Sequence, residues 1–234
     1  MRSALVLAVL ISVSSCASTT EQVVGSRCSD EDLAQRINSI SPLKRLQFAR
    51  ALERCGDVLR GAQLPRTMLA AVHHSSDFYL EKLIEKDVSL DVDLGQYYSR
   101  PMMQAIRGLD TSKVKLLIEG GAEVDYEADV SWGSNNPASK ARTPLRGAQM
   151  LNRYDIVYAL IQAGADYNRK DVYGKTLPDH FPSTRMRTSG PLYRYFLKVI
   201  ILVEEREGIR LNTSEFRTYV NKERVPPDGD IAPK

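Results

Sequence analysis

The sequence predicts an all-α protein made of repeated helix pairs, with a helical cap at each end. Three observations lead to this fold class. First, three stretches that begin at Arg66, Arg100 and Thr143 align without a gap. Second, an alanine in each stretch precedes a leucine–isoleucine pair by 12 residues, and the leucine precedes a loop residue by four. Third, helix-starting and helix-ending residues fall at matching places, and self-similarity of this kind is the signature of a repeat architecture.

Residues at matching positions of the three stretches, called columns here, predict the paired helices. Small alanines let neighbouring helices approach closely, and they are Ala71, Ala105 and Ala148. We expect an apolar seam between stacked units, formed by Leu83, Leu117 and Leu160, each of which is followed by isoleucine. Pro101 and Pro144 stand at helix starts, where the missing N–H costs nothing. Gly121 and Gly164 follow the second helix of a pair, where a left-handed residue ends it.

The units are unevenly spaced. Successive units start 34 and 43 residues apart, and a fourth start appears at Thr176, 33 residues after Thr143. The long interval places an insertion between Asp125 and Thr143. Because insertions in repeat proteins map to loops on one face, which is often the binding face, this insertion is a candidate for function.

The third unit carries the fullest pattern. Its first helix begins with Thr143, Pro144 and Leu145 and continues to Ala148, and its loop over 164–168 reads Gly-Ala-Asp-Tyr-Asn. These residues resemble the ankyrin-repeat family, whose pattern is Thr-Pro-Leu-His-x-Ala followed by Gly-Ala-Asp-Val-Asn. The resemblance covers roughly residues 62–180 and implies a solenoid of helix–turn–helix repeats with hairpin fingers. The family's histidine is absent and its place is taken by Leu69, Met103 and Arg146, which indicates diverged repeats.

The two caps are expected from helix signals outside the repeats. In the first cap, Ser29 precedes an acidic turn and predicts a helix to about Ile40. A second helix is expected from Leu43 to about Leu59, and its apolar face is expected to carry Leu46, Ala49 and Leu52. A last helix follows Pro191, with the apolar residues Tyr195, Phe196, Val199 and Ile200.

The first residues read as a targeting segment. The uncharged run from Ala4 to Val13 follows Arg2 and is too short to span a bilayer, as in a signal peptide. Residues 13–16 then resemble a bacterial lipobox, which implies a lipid on Cys16, and Ala17 favours sorting to the outer membrane. The alternative is a plain secretory signal with an incidental cysteine.

These segments give the expected organisation of the chain. We expect a lipoprotein signal peptide in 1–15, a flexible tether in 16–27, a helical cap in 28–62, ankyrin repeats in 63–180, a helical cap in 181–219 and a disordered tail in 220–234. With Cys16 lipidated, two thiols remain, and an even pair in the oxidising periplasm predicts a Cys28–Cys55 disulfide. Two buried free thiols are the alternative.

No constellation typical of an enzyme is visible in the sequence. It has no Gly-x-Ser-x-Gly elbow, no His-Glu-x-x-His, no phosphate-binding glycine loop and no Cys-x-x-Cys. Three histidines and three cysteines are too few for most metal frameworks, and the formal net charge of +3 lacks the strong basic stripe of a nucleic-acid binder. We therefore expect no catalytic residue, no metal and no cofactor, and no nucleic-acid partner.

Aromatic and basic residues mark the expected partner surface. The only tryptophan, Trp132, lies in the polar insertion, and tryptophan is enriched among interface hot spots. The alternative is that Trp132 folds back onto a neighbouring finger. The other candidate contacts in the fingers and groove are Tyr97, Tyr98, Tyr126, Arg142, Arg146 and Tyr173. With Arg107, Arg153, Arg169 and Lys170 the groove would be basic and suit an acidic protein surface, although scattered solvated charge is the alternative.

The sequence thus favours a non-enzymatic protein-binding module, monomeric when unbound. It is expected at the periplasmic face of the outer membrane and in contact with the membrane through its lipid anchor alone. One role that suits this place is immunity, in which the module neutralises a periplasm-targeted effector enzyme. The alternative is a periplasmic assembly or oxidative-stress partner similar to ankyrin proteins paired with catalase.

Overall fold

A computed structural model of the chain describes residues 28–94, 100–127, 130–131, 140–141, 143–171, 173–184 and 190–211. Its α-helices are α1 (Asp30–Asn38), α2 (Lys44–Cys55), α3 (Pro65–His73), α4 (Phe78–Glu85), α5 (Pro101–Arg107), α6 (Thr111–Glu119), α7 (Pro144–Met150), α8 (Tyr154–Gln162) and α9 (Pro191–Glu207). Two short 3-10 helices span Gly56–Leu59 and Pro178–Ser183, and two-residue strands pair at β1 (Val130–Ser131) and β2 (Lys140–Ala141). The all-α class predicted from the sequence is confirmed.

The helices form two rows. Helices α1, α3, α5 and α7 pack side by side in that order, and α2, α4, α6 and α8 form the second row. Each helix of the first row also packs against the next helix in the chain, and α9 extends the second row against α8. The chain therefore advances along the stack one helix pair at a time.

The repeated columns lie between these rows. The three alanines and three leucines of the columns are at most 1% exposed. One apolar core runs from α1 to α9 without a break. The sequence period therefore corresponds to a continuous core shared by all pairs, as in proteins built from stacked repeats.

The second helix ends in the same hydrogen-bonded turn in the three pairs that contain α4, α6 and α8. The amides of Val88, Ala122 and Ala165 each donate to the carbonyl five residues earlier, at 3.2, 2.9 and 2.9 Å. The residue before each of these amides has a positive φ of 55°, 87° and 100°, and these residues are Asp87, Gly121 and Gly164. This is a Schellman motif, and it confirms the left-handed role predicted for the two glycines.

The N-terminal cap is held to the first repeat by side-chain and covalent contacts. Ser29 caps α1 by accepting a hydrogen bond from the Asp32 amide at 3.2 Å, as predicted. The Asp30 carboxylate accepts from the Arg66 and Thr67 amides at 2.8 and 2.7 Å, which satisfies the open N-terminus of α3. Sulfur atoms of the two cysteines lie 2.19 Å apart, in agreement with the pairing expected for Cys28 and Cys55.

The second cap helix differs from its prediction. Helix α2 ends at Cys55, because Gly56 takes a φ of 54°, and a 3-10 turn continues to Leu59. Its buried face carries Phe48, Ala51, Leu52 and Cys55, a spacing that follows the 3.6-residue period. Leu46 was expected on this face and is instead 45% exposed.

The last helix, α9, begins at Pro191, where the sequence predicts a final helix. The Phe196 ring of α9 meets the rings of Tyr154 and Phe181 edge-on, with centroids 4.7 and 5.6 Å apart. The fourth repeat start at Thr176 leads into the short 3-10 helix instead of a full α-helix. No helix in the described part of the chain has the length and apolar character needed to cross a membrane.

Candidate functional site

Several of the predicted site residues lie outside the described residues. They are Cys16, Tyr97, Tyr98, Trp132 and Arg142. Around Trp132, the structure describes the backbone of the two short strands that flank it, in which Val130 pairs with Ala141 and Ser131 with Lys140. Strand β2 also packs against α7. The paired strands therefore lie beside the start of α7.

Tyr126 is in the core rather than at the surface. Its side chain is 4% exposed, and the Arg100 guanidinium lies 4.3 Å from the centre of its ring. Arg100 in turn pairs with Glu123 and, at 3.7 Å, with Asp91. The ring therefore helps to join two neighbouring finger loops, and its position does not match the exposed contact expected from the sequence.

Two of the arginines expected to make a groove basic are paired with carboxylates. Arg153 binds the Asp155 carboxylate at 2.7 Å and also donates to Thr111 and to the Leu109 carbonyl. These bonds join α8 to the start of α6, so this guanidinium cross-links two helix pairs. Arg169 binds Asp125 at 2.8 Å, and this pair joins the second and third finger loops in the same way.

A small cavity of about 40 Å³ lies beside α7, and its lining includes Arg146. The Asp171 carboxylate stands at the centre of its polar wall. Asp171 Oδ2 lies 2.8 Å from His180 Nε2 and 3.4 Å from Arg146 Nη2. Asp171 Oδ1 accepts hydrogen bonds from the Tyr173 and Lys175 amides at 2.8 and 3.0 Å. One carboxylate thus positions a histidine, an arginine and a loop.

Burial is the largest influence on the pKa values of this cluster. Burial lowers the pKa of Arg146 despite the nearby Asp171 carboxylate. Burial also lowers the pKa of His180, and the charge of Arg146 lowers it further. Burial by itself raises the pKa of Asp171, but hydrogen bonds from Lys175, Tyr173 and His180 outweigh it, and the pKa lies below its ordinary value. Asp171 is therefore charged near neutral pH.

Tyr173 is a second predicted contact that the structure brings to this cluster. Its side chain is 60% exposed, and its hydroxyl is near enough to Arg146 to affect the pKa of the guanidinium. Arg146 and Tyr173 are therefore the predicted site residues that the described structure places together. Asp171 and His180 were not among the site residues predicted from the sequence. An aspartate three residues before Gly174 is a turn signal that could have marked Asp171.

The hydroxyl groups of the cavity have structural partners. Thr143 Oγ1 accepts from the Arg146 amide at 3.1 Å and caps α7. Thr176 Oγ1 donates to Asp179 Oδ2 at 2.8 Å. Across the described ranges, no group of three His, Cys, Asp or Glu side chains is placed to hold a metal ion. No protein-family model matches the chain, and a search of curated proteins finds no significant match.

Proposed function

We propose that the chain is an ankyrin-type, non-enzymatic protein-binding module. The observation that carries this proposal is the two-row stack, in which the same hydrogen-bonded turn ends the second helix of three successive pairs. Such a stack presents its first helices and its finger loops side by side as one extended surface, which repeat proteins use for binding. Rigid neighbouring pairs supply this surface with little ordering cost on association.

The residue types at the cavity favour binding. A His–Asp pair can activate a hydroxyl, a thiol or a water molecule, so the pair alone does not define an enzyme. The two threonine hydroxyls of this lining instead cap α7 and bind Asp179. Arg146 and the exposed Tyr173 are residue types that are enriched in protein interfaces.

The proposed place of action is the periplasmic face of the outer membrane, with a lipid on Cys16. A Cys28–Cys55 disulfide supports an oxidising compartment, because such bonds are rare where thiols are kept reduced. We propose that the partner is a periplasm-targeted effector enzyme and that the module is its immunity protein. The partner then occupies the finger loops, including the insertion that carries Trp132.

The location is tested by fractionating cells that express the full chain or its Cys16→Ser variant. The wild-type chain should fractionate with the outer membrane after a high-salt wash, and the variant should be soluble in the periplasm. A variant that stays in the outer membrane would contradict the lipid anchor.

The binding surface is tested with three single variants of the full chain in a co-purification from the native envelope. Trp132→Ala should weaken partner binding by about 2 kcal/mol, and Tyr173→Ala should weaken it as well. The matched control is Ile40→Ala, because Ile40 is fully exposed in the first cap, far along the stack from Tyr173. Unchanged thermal unfolding is required of all three. If the three variants capture equal amounts of the partner, the proposed surface is wrong.

The immunity role has a separate readout. Expression of the module should protect cells against the captured enzyme when that enzyme is directed to the periplasm. Protection should be lost in Trp132→Ala and kept in Ile40→Ala. If the captured partner is harmless in the periplasm, the immunity role is wrong, but the proposed binding module still stands.

A further inference from the structure

Exposed apolar side chains are concentrated in the N-terminal cap. In the described part of the chain, seven large apolar side chains are exposed, and four of them lie between residues 40 and 58. They are Ile40, which is fully exposed, and Leu43, Leu46 and Val58, which are 57%, 45% and 73% exposed. A single exposed apolar residue is common on protein surfaces, whereas a group of them marks a site of interaction.

Leu43 and Leu46 belong to a stripe along the outer side of α2. Leu43 directly precedes the helix, and Leu46, Arg50 and Arg54 follow at intervals of three or four residues, which places the four side chains on one side of the helix. All four are exposed, and the buried residues of α2 lie on its opposite side. These four residues, called the cap stripe here, therefore face away from the core.

The two ends of the second row of helices differ. Helix α2 is the first member of this row and packs against α1 and α4, and its exposed stripe is not covered by any helix of the described residues. At the other end of the same row, α9 packs against α8. The stack is therefore closed by an apolar helix at one end and presents Leu43 and Leu46 to its surroundings at the other.

Helix α2 is also the most basic helix of the second row. It carries four cations and one carboxylate, and that carboxylate, Glu53, binds Lys86 Nζ at 3.0 Å. Helices α4, α6 and α8 each differ from neutrality by a single charge. Arg54 Nε donates to the Arg50 carbonyl at 3.1 Å, and no ion pair among the described residues involves either guanidinium. The cap stripe is therefore both apolar and positively charged.

The acidic first turn of α1 does not offset this charge. Asp30 accepts hydrogen bonds from two amides of α3, and Asp32 binds Arg36 at 2.8 Å. Glu31 lies 3.3 Å from the Arg66 guanidinium. Each of these carboxylates has a partner on α1 or α3, so the positive charge of α2 remains.

The chain ahead of the cap limits how far the stripe can lie from the proposed lipid anchor. Residues 17–27 separate Cys16 from Cys28, and a fully extended chain of that length spans at most about 40 Å. The disulfide joins Cys28 to Cys55, which is the last residue of α2. The end of α2 is therefore held at the point where the chain from the anchor enters the cap.

We propose that the cap stripe lies against the membrane surface, where Leu43 and Leu46 enter the headgroup region and Arg50 and Arg54 bind anionic phospholipid headgroups. Helices that bind membrane surfaces combine an apolar contact with basic residues that attract anionic lipids. A basic contact of this kind adds a second attachment to that of a lipid anchor. The inference rests on the proposed location at the outer membrane, and it uses none of the residues proposed to bind the protein partner.

The test uses the full chain with Cys16→Ser, in which no lipid masks a weaker contact. Binding is measured by co-sedimentation with vesicles of phosphatidylethanolamine and phosphatidylglycerol in equal amounts, and with vesicles in which phosphatidylcholine replaces phosphatidylglycerol. We expect at least tenfold tighter binding to the anionic vesicles, and high salt should remove this preference because it screens surface charge. Equal binding to both kinds of vesicle, or binding to neither, would overturn the proposal.

Variants of this chain assign the contact to the cap stripe. Leu46→Gln and Arg50→Gln should each weaken binding to the anionic vesicles about threefold, and the double variant about tenfold. The matched double control is Ile209→Gln with Arg194→Gln, because Ile209 is 52% exposed and Arg194 is exposed on α9, at the other end of the stack.

The control should bind like the parent chain. All variants share the same residues ahead of Cys28, so a difference between them reports on the folded part, and thermal unfolding should be unchanged in each. An equal loss of binding in the two double variants would overturn the assignment to α2.

A second copy of the chain is the other possible occupant of the stripe. A dimer in analytical ultracentrifugation that Leu46→Gln abolishes, together with no vesicle binding, would assign the stripe to self-association and overturn the membrane contact. The anchor and this contact also fail separately. Vesicle binding by the Cys16→Ser chain, with a wild-type chain found free in the periplasm, would remove the anchor alone. Outer-membrane fractionation of the wild-type chain, without vesicle binding by Cys16→Ser, would remove this inference alone.

Discussion

At the scale of single residues, the turn between the two helices of a pair is the same in the second and third units. Leu109 and Asn152 have φ values of 57° and 54° and occupy the same place between the two helices of their pairs. The next amide donates to the carbonyl five residues back in both turns, at 3.0 Å. Left-handed φ values are unfavourable for residues with a Cβ, and Leu109 lacks the local hydrogen bonding that an asparagine side chain offers.

We therefore expect Leu109→Gly to be more stable than Leu109→Ala by about 1 kcal/mol in the free energy of unfolding. Both variants lose the same half-exposed side chain, so the comparison isolates the backbone conformation. Urea unfolding of the two variants measures the difference.

The control is Lys115, which is exposed within α6 and has a right-handed helical backbone. There the order should reverse, and Lys115→Ala should be more stable than Lys115→Gly by about 1 kcal/mol. The same order at both positions would show that the strain at Leu109 has no measurable cost.

Predictions for single residues succeeded where only one residue type suits the backbone conformation that the position requires. Gly121 and Gly164 were found because their position demands a left-handed conformation. Asp87 fills the corresponding position in the first unit, and its residue type alone is compatible with many other conformations. The cluster of Asp171 and His180 escaped because its members become neighbours only through the 3-10 helix that follows the third unit.

At the scale of elements, a buried lysine joins the starts of two helices in the second row. Lys113 is 1% exposed and binds the Asp110 carboxylate, and it lies 3.4 Å from Asp77 Oδ1 at the start of α4. Asp110 also caps α6 by accepting from the Lys113 amide at 3.1 Å. The two carboxylates are each 31% exposed, so water reaches them but hardly reaches the ammonium group.

This asymmetry predicts unequal effects of removing the partners. Asp110→Ala removes a helix cap and one of two counter-charges from a buried cation, so it should cost about 2–4 kcal/mol of unfolding free energy. Lys113→Met keeps the apolar volume and returns two carboxylates to water, so it should cost less than half as much. Chemical denaturation of both variants checks the ratio, and a larger loss in Lys113→Met would show that the ion pair itself is the main source of stability.

Element bounds were predictable where local signals were strong. Helix α9 begins at Pro191 and α1 is capped by Ser29, both as expected. Helix α2 was misjudged because Gly56 ends it before Leu59, and because Phe48 rather than Leu46 faces α4, where its ring meets Tyr79 edge-on at 5.2 Å. Which face of a cap helix is buried depends on its neighbour in the stack, and the helix's own sequence does not identify that neighbour.

At the scale of the whole molecule, stability should depend on pH through two histidines at opposite ends of the stack. Burial lowers the pKa of His74, and Lys44, whose Nζ is 3.2 Å from the ring, lowers it further. Burial and Arg146 lower the pKa of His180. In the unfolded chain both rings take up a proton near pH 6.5, whereas the folded chain resists protonation until a lower pH.

The sign follows from proton linkage. Between the folded and unfolded pKa values, the unfolded state binds more protons than the folded state. The contribution of the two histidines to the free energy of unfolding is therefore complete above about pH 6.5 and decreases as the pH falls below that value. We expect lower urea midpoints at pH 5.5 than at pH 7.5. The double variant His74→Gln, His180→Gln should flatten this dependence, and an unchanged slope in the double variant would assign it to other groups.

The overall architecture was the most predictable level. Three in-phase columns specify stacked helix pairs, because each pair can bury its apolar face only against the next. The pairing of the basic residues was not predictable, since Arg169 binds a carboxylate of the preceding unit and Arg153 donates to Leu109 and Thr111 of the preceding helix pair. Pairing across the stack depends on the three-dimensional offset between units, which no spacing within one unit reveals.

The disulfide between Cys28 and Cys55 decides how the molecule carries mechanical load. A pull on the chain ahead of Cys28 that is resisted by the repeats passes through the sulfur–sulfur bond to Cys55 and onward to α3. Helices α1 and α2 lie inside the closed covalent loop, so neither of them is under tension. A chain without this bond would transmit the same force through α1 and α2 and through the Asp30 contacts to α3.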